Sequence, residues 1–135
     1  MVRPSLSKQG AIASGTRTAE RHDTDAAYRR LWNNSSNRLG SRVYLGGADP
    51  NAAVPARCVD LRQLPPTWLG VGTLDVLYGE STAYAQRLHA AEVDCELKIV
   101  PGAFHGFDAV APKAAVTADF LRSQREFLQR ALACR

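Results

Sequence analysis

The order of apolar runs and helical stripes predicts an α/β fold, a βαβα arrangement of two parallel strands with flanking helices. Three observations carry it. "TWLGVG", set between Pro66 and a polar loop, has the length and content of a buried strand. "CELKIV" is a second such run, stopped by Pro101-Gly102. A helical stripe lies between them and another follows, and consecutive strands joined by a helix pair in parallel with a right-handed crossover.

Taken in order, residues 1–22 mix Gly, Ser, Thr, Arg and Pro without period and predict a poorly ordered basic leader, leaving 23–135 for the folded portion. "DTDAAYRRLW" predicts a short helix capped by Asp23 or Thr24, with Ala27, Leu31 and Trp32 inward, fading near "NNSSN". "YLGGADPNAAVPARCVDLRQLPP" is crowded with Gly, Pro, Asn and Asp and predicts a long irregular connection. After the first strand, "TLDVLYGE" reads as a loop. "STAYAQRLHAAE" then sets Tyr84, Leu88 and Ala91 on one helical face, with Ser81 as N-cap. From Pro112 onward a long helix should turn Phe120, Leu121, Phe127, Leu128 and Leu132 inward, with Glu126 and Arg130 as an exposed pair.

The 135 residues suffice for one domain, and 45% hydrophobic against 22% charged residues is a globular balance. The net charge of +4 sits at the front: residues 1–42 hold eight of the seventeen Lys and Arg but three of the thirteen acids. That arm has no interleaved aromatics, so no nucleic-acid partner is expected. The uncharged stretch "QLPPTWLGVGTL" contains two prolines and falls far short of the roughly 20 residues of a membrane span. Cys58, Cys95 and Cys134 are odd in number and scattered, with no CxxC, which argues against a disulfide framework and a zinc site and for a reducing, cytoplasmic setting.

Asp75 and His105 are the candidate site residues. Each lies just past the end of a predicted strand, and the C-terminal edge of an open α/β sheet is where sites form. A carboxylate there can accept the Nδ1 proton of an imidazole and leave Nε2 as a base, with Phe104 and Phe107 as shields. The spacing also admits a helix-capping Asp beside a structural His. His22, in the leader, and His89, without a nearby acid, carry no such role.

"LPPTWLGVGTLDVLYGESTAYAQRLHAAEVDCELKIVPGAFHGFD" resembles the C-terminal part of hormone-sensitive-lipase-like carboxylesterases of the α/β-hydrolase superfamily, and similarity extends over about residues 32 to 132. It combines the Pro-Pro before the strand, the Leu-Asp-x-Leu loop, the "AYAQRL" helix and the Pro-Gly-x-x-His-Gly-Phe loop. The resemblance implies a partial α/β-hydrolase fold in which Asp75 is the triad acid and His105 the triad base. Family members hydrolyse esters of small or medium acyl chains through a serine in GxSxG, helped by an HGGG-type loop, with no cofactor or metal. Neither motif occurs before Asp75. Ser81 in "GESTA" follows the acid and reads as a helix cap, and Glu92 stands where the family often has Gly. The expectation is a C-terminal fragment of a carboxylic-ester hydrolase lacking its nucleophile, whose full-length parent takes a small acyl ester. The alternative is a non-catalytic association module or inactive remnant, self-associating through an exposed sheet edge.

Overall fold

The computed structural model describes residues 31–133. The leader, His22, Cys134 and the predicted helix up to residue 30 lie outside them.

Two strands, β1 (Thr67–Gly72) and β2 (Cys95–Val100), occupy the two apolar runs and pair in parallel from Thr67↔Cys95 to Gly72↔Val100. The helices are α1 (Asn34–Leu45), α2 (Pro50–Ala53), α3 (Tyr78–Ala90), α4 (Phe107–Val110) and α5 (Ala115–Ala133), with a 3₁₀ turn at Pro55–Arg57. Because side chains alternate across a strand, β1 feeds two cores. Leu69 packs with Tyr84, Ala85 and Leu88 of α3, closed by Leu61 and Val93. Trp68 packs on the other face with Val100 of β2 and with Phe120 and Phe127 of α5. The sheet is therefore sandwiched between α3 and α5.

Several local expectations need correction. "NNSSN" starts a helix instead of ending one: Asn33 is the N-cap of α1, its side chain accepting from the Ser36 N–H at 3.0 Å. Leu31, expected inward, is 64% exposed with φ of 63°, so no helix runs through it into α1. The long connection is not wholly irregular, since Asp49 caps α2 through the Asn51 N–H, and the Arg87 guanidinium of α3 donates to the carbonyls of Ala56 and Cys58.

Ser81 is not a cap. It sits one turn inside α3, buried, with its N–H on the Leu77 carbonyl. On α5, Phe120 and Phe127 are buried as expected, but Leu132 is exposed and Arg130 pairs with Glu96 of β2. A long guanidinium arm reaches the neighbouring strand as readily as a carboxylate one turn away. Glu92, in the place marked for Gly, adopts φ of 58°. The backbone keeps the left-handed turn that closes such a helix and bears its steric cost.

Candidate active site

The in-step register of β1 and β2 releases both following segments at one level, and three hydrogen bonds lace them together. The Thr73 N–H donates to the Val100 carbonyl at 3.1 Å, the Leu74 N–H to the Ala103 carbonyl at 2.9 Å, and the Gly102 N–H to Thr73 Oγ1 at 2.8 Å. Gly72 makes this closeness possible, since a Cβ there would lie 2.0 Å from the Ala103 carbonyl oxygen.

Asp75 and His105, thirty residues apart, meet across the lacing. The His105 Nδ1–H donates to Asp75 Oδ2 at 2.9 Å, while the other oxygen, Oδ1, accepts the Leu77 N–H at 2.9 Å. Asp75 therefore does both things its spacing allowed: one oxygen caps the entry to α3 and the other holds the imidazole. The cap fixes the carboxylate plane, so the acid reaches His105 without a free torsion to search. Its side chain is 9% exposed and that of His105 is 32% exposed. The carboxylate is thus shielded while the imidazole still reaches solvent.

The hydrogen bond to Asp75 raises the His105 pKa above its ordinary value; burial opposes this, and the charges of Asp75 and Asp108 add to the rise. With Nδ1 engaged, Nε2 is the nitrogen left to exchange a proton. A cleft of about 130 Å³ opens beside the pair, lined by Trp68, Asp75, Ser81, Phe104, His105 and Phe107 among others.

Of the two expected shields, Phe104 lines the cleft beside His105 and Phe107 is reassigned. Phe107 is drawn into the core, edge-on to Phe120 at 5.1 Å between centroids. Trp32 also covers the imidazole, stacked at 5.6 Å with 26° between the planes. Nothing in the sequence pattern linked Trp32 to His105, because the contact spans a chain separation that no helical or strand period encodes. His89 is exposed on α3. Burial pushes the Cys95 thiol up to about 11, which makes it inert as a nucleophile at neutral pH. Among the described residues no group of three or more His, Cys, Asp or Glu is placed to hold a metal ion, and no helix is long and apolar enough to cross a membrane.

Residues 2–109 match the family model described as the alpha/beta hydrolase fold. No curated protein matches the chain. Among solved structures, it is similar to the esterase LipW from Mycobacterium marinum, with 29% identity and a TM-score of 0.74 over 96% of this chain and 37% of that one. A bacterial heroin esterase shares 35% identity with a TM-score of 0.62 over 89% of this chain and 39% of its own. An esterase from the bacterial hormone-sensitive lipase family shares 28% identity with a TM-score of 0.71, over 84% and 39%. The chain spans about two fifths of the length of each of these structures. Its two parallel strands with flanking helices and its match to the family model over most of its length place the chain in the alpha/beta hydrolase fold family, among structures of hormone-sensitive-lipase-type esterases.

Proposed function

We propose that this chain carries the acid and base of a serine carboxylesterase site, Asp75 and His105, and acts on small acyl esters only in combination with a segment that supplies the nucleophile. The observation that carries the reading is the 2.9 Å contact from His105 Nδ1 to Asp75 Oδ2 at the C-terminal edge of the strands.

In this reading a serine hydroxyl placed against Nε2 loses its proton to His105 as its oxygen attacks the ester carbonyl. The resulting imidazolium is stabilised by Asp75, and its proton passes to the departing alcohol. Water then repeats the sequence to free the acid. The chain has neither GxSxG nor an HGGG-type loop, so the attacking group and part of the oxyanion hole have to come from elsewhere. Ser81 lines the same cleft, yet it lies after the acid in chain order and one turn inside α3, away from any strand-to-helix elbow.

The test is a chimera in which residues 31–133 replace the corresponding portion of a bacterial hormone-sensitive-lipase-type esterase, assayed on p-nitrophenyl butyrate. Hydrolysis should appear in the chimera, be negligible for this chain alone, and fall about 10³-fold or more with His105→Ala. A chimera whose turnover is indifferent to His105→Ala refutes the assignment.

A second reading has its own observation. Among the described residues the sheet has two strands, so one edge of β1 has no strand neighbour. Unpaired strand edges recruit other strands, which supports self-association as the role of the chain. Light scattering should then show dimers or larger species at high concentration; a monomer throughout removes this reading and leaves the first untouched.

A further inference from the structure

Trp32 lies immediately before α1, far in sequence from either strand loop, and its indole rests on the His105 imidazole. The seat is shaped for it. Gly40, a residue of α1, lies against the rim of the indole's six-membered ring, and a Cβ added there would come within 3.3 Å of Trp32 Cη2. The indole thus touches both the Gly40 turn of α1 and the imidazole. Asn33, the next residue, is tied down as the cap of α1 through Ser36, so the chain on the C-terminal side of Trp32 is fixed as well.

A ring in this position acts on the imidazole in two ways. It limits rotation about χ2, which keeps Nδ1 on Asp75. It also presents the negative face of an indole at a separation within the roughly 6 Å range of a cation–π contact, which favours the charged imidazole over the neutral one. Asp75 from the loop after β1 and Asp108 from α4 are the charged groups acting on the same imidazole.

We infer that Trp32 is a positioning residue for His105, holding the ring on Asp75 and stabilising the imidazolium formed when the base takes up a proton. The inference rests on the reading of His105 as the base, and assigns that site a third side chain from outside the two strand loops.

The experiment is NMR titration of the His105 imidazole in the intact chain, its Trp32→Leu and Trp32→Phe variants. Leu keeps apolar bulk without a π face, and Phe keeps the face. Trp32→Leu should lower the proton affinity of His105 about two- to fivefold, while Trp32→Phe stays within about twofold of the parent. Equal affinities in the parent and Trp32→Leu overturn the proposal, as does an equal loss in both variants, which marks a packing effect alone. In the unsubstituted chain, an Overhauser contact between indole and imidazole protons is expected and its absence is equally fatal, so the result does not depend on either variant folding. No ester is present in these measurements, so an inactive chimera and an unmoved titration remain separate outcomes.

Discussion

Asp75→Asn, introduced into a chimera that supplies the serine, should lower kcat about 10⁴-fold at neutral pH while leaving the fold in place. The reason is specific to this carboxylate. Its Oδ1 accepts the Leu77 N–H, so an asparagine there must keep its carbonyl oxygen on that N–H and turn its NH₂ toward His105. Nδ1 of the imidazole must then accept, which puts the ring proton on Nε2, where a base needs a lone pair. Nitrogen chemical shifts of His105 should report that tautomer exchange directly; an unchanged tautomer with full turnover sinks the prediction.

The same substitution gives a pH signature. The folded His105 pKa lies above its ordinary value of 6.5, chiefly through the Asp75 hydrogen bond. Folding therefore gains stability that is fully present below about 6.5 and is lost as the pH rises through the folded-state value. The stability difference between parent and Asp75→Asn, read from urea midpoints, should shrink as pH rises across that window.

Gly72→Ala should cost about 3 kcal/mol or more and pull the pair apart. The added methyl would stand 2.0 Å from the Ala103 carbonyl oxygen and 2.5 Å from its carbonyl carbon. Both are backbone atoms that cannot swing aside. Relief requires the two segments to separate, which breaks the Leu74 to Ala103 hydrogen bond and moves Asp75 away from His105. Denaturant unfolding should show the loss, and the His105 titration should move back toward the ordinary imidazole value. A variant within about 1 kcal/mol of the parent with an unmoved titration contradicts this account.

Both strands and the meeting of Asp75 with His105 were legible because they follow from local rules: apolar runs between breakers, a helical crossover, and loops sharing one edge. α1 was hidden for the opposite reason. Its buried residues are Asn34, Asn37 and Ser41, while Leu39 and Val43 face outward, so a reading keyed to an inward apolar stripe passes over it. The start of α3 was set too late because Leu77, which precedes it, has no polar side chain to announce a cap. The cap comes from Asp75, two residues further back. Trp32 on His105 is a purely tertiary contact.

One consequence of the in-step strand register reaches beyond the fold. Asp75 and His105 are both delivered by residues 67–105, on a single strand–helix–strand stretch whose internal hydrogen bonds set their separation. Recombination with breakpoints outside that stretch transmits the couple whole, so it can be inherited, or grafted into another sheet, as one cassette.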